Sequence, residues 1–282
     1  MKAITLHGTG DVRVESVADP KIVDPTDVVV RTTTSAVCGS DLHQYHGRVP
    51  GLPKGVVLGH EFMGIVEEVG SAVTRVKRGD RVVAPFSISC GQCEWCRMRL
   101  PTQCSTTGRA VFGGRFGHVY PGGQAERIRV PFADFMCEGV PAAMKDEEAF
   151  FLGDILSTGY FCAESAGIRP GDRVAIFGAG PVGLLALQSA HLFGPSRIYM
   201  VDRVGYRLEL AEQMDAIPVN LDKGDPAQQL RSLTGGRGPD AVLECVGHEV
   251  PFAQAVVAVR PGGTVSSVGV YVEDAIGFPV RD

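Results

Sequence analysis

Two short segments of the sequence combine residue types that bind metal ions. The first holds Cys38, Ser40, Asp41 and His43 within six consecutive residues, and the second is Gly59-His60-Glu61. A lone cysteine is usually a small buried hydrophobe and a lone histidine a hydrogen-bonded polar residue, so neither would indicate a site by itself. Because several ligand types occur together here, we interpret the two segments as parts of one metal site.

Four more cysteines lie in one short loop, with the spacing Cys90-x2-Cys93-x2-Cys96-x7-Cys104. This spacing lets backbone turns fold four thiolates around a tetrahedral centre about 2.3 Å from each sulfur, as structural zinc requires. Free or disulfide-paired cysteines are one alternative. An iron-sulfur cluster is another, although its bacterial motif usually ends in Cys-Pro and has a shorter last gap.

A glycine-rich turn in the second half of the chain is typical of dinucleotide binding. Gly178-Ala179-Gly180-Pro181-Val182-Gly183 follows a short apolar strand, residues 173–177, and leads into a helical run, residues 184–193. The first glycine permits the tight bend, the second lets the backbone approach a pyrophosphate, and the third lets helix and strand pack closely.

A second strand, residues 197–201, ends at Asp202, where an acid can accept hydrogen bonds from an adenosine ribose. A carboxylate there repels a 2′-phosphate and favours NAD over NADP, although the basic Arg203 that follows weakens the preference. An ordinary glycine turn with a strand-terminal aspartate is the alternative.

The composition excludes some classes of function. A formal net charge of −5, an isoelectric point near 5.8 and the lack of a basic run argue against a nucleic-acid partner. The sequence shows neither a signal-peptide pattern nor an uninterrupted apolar segment of about 18 residues, so we expect a cytoplasmic protein with no membrane partner. In that setting, clustered cysteines are better explained as metal ligands than as a disulfide framework.

A chain of 282 residues with 44% apolar residues predicts two domains. We place the first at residues 1–145, as a small β-barrel with sites in its loops. Its short runs of β-branched or alternating residues predict strands at 2–6, 12–17, 28–31, 62–69, 81–84 and 125–130.

We place the second domain at residues 146–282, where alternating strands and helices predict a doubly wound parallel sheet. A full dinucleotide-binding sheet has six strands, and only five can be counted, so the last is expected to be missing. Beyond the strands at 173–177 and 197–201, the pattern predicts strands at 240–245 and 264–270 and helices at 206–214, 226–233 and 250–259.

Asp154 lies in a helical segment that begins near Lys145 and is otherwise rich in apolar residues. Burying a carboxylate is costly unless a cation compensates it. From the residues alone, an exposed position on the helix is therefore favoured over a role as a ligand.

With these motifs in this order, the chain resembles the zinc-dependent medium-chain alcohol dehydrogenases over essentially its whole length. Residues 153–160, Gly-Asp-Ile-Leu-Ser-Thr-Gly-Tyr, carry an acid where many relatives have a cysteine ligand, which is most similar to the branch containing glutathione-independent formaldehyde dehydrogenase. The resemblance implies an α/β protein with a GroES-like β-barrel catalytic domain followed by a Rossmann NAD-binding domain.

The resemblance also assigns two zinc ions per chain. It makes Cys38, His60 and Asp154 ligands of a catalytic zinc, with Glu61 beside it as an alternating ligand or close neighbour. The ligands that it assigns to a structural zinc are Cys90, Cys93, Cys96 and Cys104.

The resemblance implies that zinc acts as a Lewis acid on the substrate oxygen while hydride passes from an alcohol or hydrated aldehyde to NAD. Ser40, through the nicotinamide ribose, and His43 are then expected to relay the proton to solvent. The implied cofactor contacts are Gly39, Thr158, Gly178, Gly180, Pro181, Val182, Gly183, Asp202, Arg207, Val246, Val268, Gly269 and Val270.

Two departures from the family pattern leave alternatives open. Family members commonly run about a quarter longer, so the chain is expected to be truncated at its C-terminus, and a catalytically incomplete fragment that binds zinc and nucleotide is one alternative. The long loop that encloses the cofactor in formaldehyde dehydrogenases is not evident, and a threonine or polyol dehydrogenase is the other alternative. A homodimer or homotetramer is expected if the full-length fold is present.

Overall fold

Two units make up the chain in the computed structural model, Met1–Asp154 and Ile155–Asp282, and the structure describes residues 1–108, 114–273 and 275–279. The sequence places the boundary earlier, between residues 145 and 146. Residues 146–154 belong with the first unit because Phe150 packs there in a small apolar cluster with Met63 and Val83.

The first unit is built from two antiparallel sheets. One has the strand order β2-β1-β4 and the other β7-β3-β5-β6-β8. The six predicted strands are found within a few residues of their expected bounds, whereas β4 and β8, of two residues each, had no sequence signal. The strands are β1 (Lys2–Gly8), β2 (Asp11–Ser16), β3 (Val28–Ser35), β4 (Val56–Val57), β5 (Phe62–Val69), β6 (Arg81–Val83), β7 (Arg127–Val130) and β8 (Glu138–Gly139).

Short helices interrupt the loops of this unit: α1 (Gly39–Tyr45), α2 (Glu94–Arg97), α3 (Ala133–Met136) and α4 (Asp146–Ala149). The main core includes side chains of the adjacent strands β3 and β5, where Val28, Val30 and Phe62 are essentially inaccessible to solvent. Phe62 also packs edge-to-face on Phe116, with ring centroids 5.0 Å apart. Because β5 begins directly after Glu61, this core anchors the second metal-binding segment.

The second unit is a parallel five-stranded sheet with the order β11-β10-β9-β12-β13. This is the first five positions of the six-strand order of dinucleotide-binding folds. The expected count of five strands is confirmed for the described residues, although the sequence pattern located only four of them and assigned no strand to residues 217–220. The strands are β9 (Arg173–Phe177), β10 (Arg197–Asp202), β11 (Ile217–Asn220), β12 (Ala241–Glu244) and β13 (Thr264–Ser267).

Helices cover both faces of this sheet, as the predicted doubly wound architecture requires. Alternate residues of β9 contribute to two separate cores, Val174 and Ile176 to one and Ala175 and Phe177 to the other. None of the described helices has both the length and the apolarity needed to cross a membrane. The helices are α5 (Ile155–Ser165), α6 (Pro181–His191), α7 (Gly205–Gln213), α8 (Pro226–Leu233) and α9 (Glu249–Ala258).

Candidate functional site

Cys38 lies at the N-terminal end of α1, where the local hydrogen bonding fixes its position. Its backbone N–H donates to Asp41 Oδ2 at 3.0 Å. Asp41 is the third residue of the helix, and its side chain thus caps Cys38, the residue directly before the helix. Ser40 Oγ donates to the Cys38 sulfur at 3.3 Å. The six-residue motif therefore folds into a helix start that holds the thiol in one orientation.

His60 and Glu61 lie between Gly59 and the first residue of β5. Gly59 has a φ of +96°, and a Cβ on it would come within 2.7 Å of the backbone nitrogen of Gln124. This close approach requires glycine and sets the direction in which the next two side chains leave the backbone. His60 and Glu61 are consequently buried, with 1% and 3% exposure.

Asp154 occupies the break between a 3-10 turn, Phe150–Gly153, and helix α5. The exposed helical position favoured by the residues alone is wrong, because Asp154 is 9% exposed. Gly153 packs so closely on the carbonyl oxygen of Ala84 that a Cβ would lie 2.7 Å from it. This tertiary contact turns Asp154 into the first unit, where the resemblance had implied that it would be a ligand.

Cys38, His60, Glu61 and Asp154 each contribute one potential ligand atom to a cluster in which all four atoms lie within 4.8 Å of one another. His60 Nε2 faces Asp154 Oδ2 at 3.3 Å and Ser40 Oγ at 3.2 Å. The cluster thus combines a thiol, an imidazole and two carboxylates drawn from three separate stretches of chain. These donor types suit a divalent zinc ion.

The electrostatics of this cluster favour a bound cation. Burial alone would lower the pKa of His60, but hydrogen bonds to Asp154, Asp41 and Cys38 raise it well above its ordinary value. Burial, followed by repulsion from Asp154, raises the pKa of Glu61. Glu61 Oε1 is buried and has no hydrogen-bond partner among the described residues. A divalent ion would neutralise the acids and give this oxygen a partner, so the residues fit zinc.

Asp41, which the sequence places in the same motif as Cys38, lies against the imidazole of His60. Its Oδ1 lies 3.1 Å from His60 Nδ1, on the ring nitrogen opposite the cluster, and Gln124 Nε2 donates to its Oδ2 at 3.2 Å. A carboxylate at Nδ1 fixes the tautomer that leaves Nε2 free to bind metal. The signal was available, because an acid stands three residues after the cysteine in the same motif.

Replacing Asp41 by asparagine is expected to weaken zinc binding at this cluster by about 10- to 100-fold, the usual cost of losing such an outer carboxylate. Competition with a chromophoric chelator would measure the affinity. Asp134→Asn provides a matched control in the same unit, since among the described residues the Asp134 carboxylate accepts hydrogen bonds only from Thr74 and Arg75. Equal zinc affinities for the wild type and Asp41→Asn would contradict this role of Asp41.

The four-cysteine loop brings its sulfur atoms together around a common centre. All four lie within 4.8 Å of one another, and Cys93 Sγ is 3.5 Å from Cys96 Sγ and 3.9 Å from Cys104 Sγ. A tetrahedron with metal-sulfur bonds of about 2.3 Å has sulfur atoms about 3.8 Å apart. Because a disulfide would require about 2.05 Å, the disulfide alternative does not fit these distances.

Backbone amides in this loop prepare two of the thiols to bind a cation. Hydrogen bonds from the backbone of Cys96 and Ser105 lower the pKa of Cys93 to about 5. Burial would raise the pKa of Cys104, but hydrogen bonds from the Thr107 hydroxyl and backbone amides lower it to about 7. Burial and the neighbouring Cys93 raise the pKa of Cys96 to about 12. The loop thus favours the thiolate form of Cys93 and, less strongly, of Cys104 before a metal arrives, and a metal would supply the positive charge that Cys96 needs to lose its proton.

The glycine turn of the second unit has the predicted form. It joins β9 to α6, with Gly180 directly before the helix and Pro181 as its first residue. Gly178 has a φ of +94°, and a Cβ on Gly183 would lie 1.7 Å from the Gly178 carbonyl oxygen. Both positions therefore require glycine, and the open helix N-terminus faces the space where a pyrophosphate would bind.

Asp202 ends β10 and connects it to this turn. Its Oδ2 accepts from the backbone N–H of Ala179 at 2.7 Å, and its Oδ1 accepts from those of Arg203 and Val204 at 2.7 and 2.9 Å. A carboxylate has about four acceptor positions, so capacity remains for a ribose hydroxyl. Asp202 lines a cavity of about 660 Å³ in this unit, together with Gly178, Arg203, Arg207 and Val246.

The other predicted cofactor contacts are placed as follows. Val182 and Gly183 lie in the first turn of α6, and Thr158 lies in α5. Val268, Gly269 and Val270 follow the end of β13. Gly39, Ser40 and His43 lie in α1 of the first unit, with Ser40 buried and His43 half-buried one turn later.

Two families match successive parts of the chain. The alcohol dehydrogenase GroES-like domain matches residues 24–141, and the zinc-binding dehydrogenase family matches residues 181–282. Together they agree with the architecture of the two units.

Individual proteins give the same result over longer alignments. The uncharacterized zinc-type alcohol dehydrogenase-like protein AdhB of Bacillus subtilis is 40% identical, with 100% of this chain and 82% of the relative covered. The glutathione-independent formaldehyde dehydrogenase of Pseudomonas aeruginosa is 38% identical over 88% of this chain and 66% of its own length. The solved alcohol dehydrogenase TADH from Thermus sp. ATN1 superposes with a TM-score of 0.92 at 42% identity, covering 100% of this chain and 81% of that one. On these matches, the chain belongs to the zinc-binding alcohol dehydrogenase family.

Proposed function

We propose that this protein is a zinc-dependent dehydrogenase that oxidises an alcohol or a hydrated aldehyde with NAD as hydride acceptor. The observation that carries the proposal is the cluster of the half-buried Cys38 with the buried His60, Glu61 and Asp154. Catalytic zinc sites use three protein ligands and keep a fourth position for water or substrate, whereas a four-thiolate site is closed. The four-cysteine loop has the closed composition, whereas in the other cluster we assign three of the four side chains as metal ligands and Glu61 as an alternating one.

In this proposal, Cys38, His60 and Asp154 hold the catalytic zinc, and Glu61 stands beside it as an alternating ligand. Zinc, when bound, supplies Lewis-acid chemistry that polarises the substrate oxygen and lowers the pKa of the alcohol. Asp41 keeps the imidazole of His60 in the orientation that binds metal. His60, Glu61 and Asp154 are buried and Cys38 is half-buried, so the electrostatic interactions within the cluster are stronger than they would be at the surface.

Two residues of α1 are suited to move the substrate proton. Ser40 Oγ lies within hydrogen-bond distance of both the Cys38 sulfur and His60 Nε2, so its hydroxyl borders the metal cluster. His43 lies three residues later on the same helix, and side chains at this spacing are neighbours. We assign Ser40 as the group that takes the substrate proton and His43 as the group that passes it towards solvent.

Steady-state assays of the zinc-loaded protein would test the proposal. Reduced nicotinamide should accumulate on at least one member of a panel of primary alcohols, secondary alcohols, polyols, threonine and formaldehyde hydrate. A protein that binds zinc and nucleotide yet reduces no NAD on any of these compounds would instead favour the catalytically incomplete alternative.

The NAD preference yields a further prediction. Asp202→Asn is expected to lower kcat/KM for NAD about tenfold, as the loss of one charge-assisted hydrogen bond of about 1.5 kcal/mol would do. It should lower kcat/KM for NADP much less, because the mutation also removes repulsion of the 2′-phosphate. Steady-state kinetics with both cofactors would measure the ratio.

Asp225→Asn is the matched control for this change. Asp225 lines the same cavity, but its side chain caps α8 by accepting from the backbone N–H of Gln228. The Asp225→Asn substitution therefore removes one negative charge from the same cavity and leaves Asp202, the proposed partner of the ribose, intact. A similar change in the NAD to NADP ratio for both variants would show that general charge, and not a ribose contact, sets the preference.

A further inference from the structure

Glu244 is a buried side chain whose hydrogen-bond donors, in the part of the chain that the structure describes, include no cationic group. It is the last residue of β12 and has no exposed surface. Its Oε1 accepts from the backbone N–H groups of Val246 and Gly247 at 2.8 and 2.9 Å. Its Oε2 accepts from Ser267 Oγ at 2.7 Å and from the Tyr271 hydroxyl at 2.6 Å. Burying a carboxylate is costly unless its oxygens are hydrogen-bonded. The four hydrogen bonds to Glu244 therefore indicate that this buried side chain has a structural or functional role.

These four donors belong to two different segments, the loop that follows β12 and the end of β13 with the loop that follows it. Val246 and Gly247 follow β12, whereas Ser267 and Tyr271 flank the turn after β13. The hydroxyl groups of Ser267 and Tyr271 also lie 2.9 Å apart. Burial and the adjacent Glu244 raise the pKa of Tyr271, so its hydroxyl stays protonated and donates. One side chain therefore holds the ends of two neighbouring strands together.

The two loops are in direct backbone contact beside this side chain. A Cβ on Gly247 would come within 2.4 Å of the Val270 nitrogen, and a Cβ on Gly269 would come within 2.0 Å of the Gly247 nitrogen. Such contact leaves little freedom in how the loops are arranged. The Glu244 hydrogen bonds act at the point where the loops meet, so they set the position of residues 268–270.

The sheet order indicates which part of a dinucleotide lies over these loops. The glycine turn follows β9 and Asp202 ends β10, so the pyrophosphate and the adenosine ribose are bound on that side. A dinucleotide in such a sheet extends across the carboxyl ends of the strands, over the point where the strand order reverses. This point lies between β9 and β12, and the other half of the cofactor therefore lies over β12 and β13.

We propose that Glu244 is a positioning residue for the nicotinamide half of the cofactor, acting through the two loops that it joins. The proposal rests on the proposed use of NAD and adds to it a residue that does not itself touch the cofactor. Because adenosine is bound at the other side of the sheet, loss of Glu244 should affect the two halves of the dinucleotide unequally.

The test compares NADH with ADP-ribose, which lacks the nicotinamide ring, on the zinc-loaded full chain. Glu244→Gln keeps the size of the side chain but presents an amide nitrogen to the hydroxyl groups of Ser267 and Tyr271. We expect it to weaken NADH binding about tenfold and ADP-ribose binding less than about twofold. Fluorescence titration would give the NADH dissociation constant, and displacement of NADH would give that of ADP-ribose.

Two other variants keep the test decisive. Tyr271→Phe removes a single donor and leaves the carboxylate, so we expect a smaller change, of about threefold, in the ratio of the NADH and ADP-ribose dissociation constants. This variant tests the inference even if Glu244→Gln folds poorly. Asp240→Asn is the control, because Asp240 precedes β12 at its opposite end and accepts from the Arg173 backbone and from Arg237 and Arg260. It should lower the melting temperature without changing the ratio.

The inference would be overturned if Glu244→Gln and Tyr271→Phe weakened the binding of NADH and of ADP-ribose equally, or weakened neither. Either result would leave the proposed function intact. A wild-type chain that binds neither nucleotide would overturn the proposed cofactor and the inference with it.

Discussion

Cys38→Ser is expected to lower kcat/KM for alcohol oxidation at least about a thousandfold, which corresponds to about 4 kcal/mol of lost transition-state stabilisation. The thiol is one of three ligands that we assign to the catalytic zinc, and a serine hydroxyl is a far weaker zinc ligand at neutral pH. Stopped assays at high enzyme concentration would measure the residual rate. Metal analysis of the same preparation should show a loss of one zinc per chain from the expected two.

Cys137→Ser is the matched control for this variant. Cys137 is also a cysteine of the first unit, and it is buried in the main core near Ala133 and Met136. Burial raises the pKa of its thiol to about 12, so it is a packing group and not a thiolate. The control should lose some stability but keep its zinc and its turnover. Normal turnover in Cys38→Ser would rule out the proposed mechanism, and equal loss in both variants would attribute the effect to folding.

The parts of this protein that were predictable from sequence are those whose chemistry is local. The glycine turn is specified by the positive φ of Gly178 and by the contact between Gly183 and the carbonyl oxygen of Gly178. Both requirements appear in the sequence as glycines at fixed spacing. Likewise, Cys90, Cys93 and Cys96 lie close in sequence, so their spacing alone predicts that they can surround one ion. Strands such as β5 and β9 were predicted because buried strands are rich in apolar residues, and this enrichment is visible in the sequence.

The parts that sequence could not give depend on contacts between distant segments. The environment of Asp154 is set by Gly153 packing against Ala84, and no pattern around Asp154 records that contact. The length of β4 is two residues, too short to show any periodicity. Asp41 was named as part of a motif, yet its function depends on the distance to His60 Nδ1, which only the fold determines.

Cys104→Ser is expected to produce the largest loss of stability among single substitutions of the four-cysteine loop. Cys104 is 1% exposed, the lowest of the four cysteines, so an oxygen cannot reach solvent there to compensate for lost metal binding. Zinc binding contributes about 10–16 kcal/mol to the folding of small zinc-finger peptides. Only part of that free energy acts here, because the sheets have their own core. A fall of several kcal/mol would lower the melting temperature by roughly 10 °C.

Calorimetry and metal analysis together would check this prediction. Cys104→Ser should lose one zinc, as Cys38→Ser does, but it should keep the zinc at the Cys38 cluster and retain measurable turnover well below its melting temperature. Cys137→Ser again serves as the control, since it changes a buried thiol that belongs to neither cluster. An unchanged zinc content in Cys104→Ser would contradict the structural site. Loss of turnover at low temperature with the second zinc still bound would show that the loop has a catalytic role as well, which its closed set of four thiolates argues against.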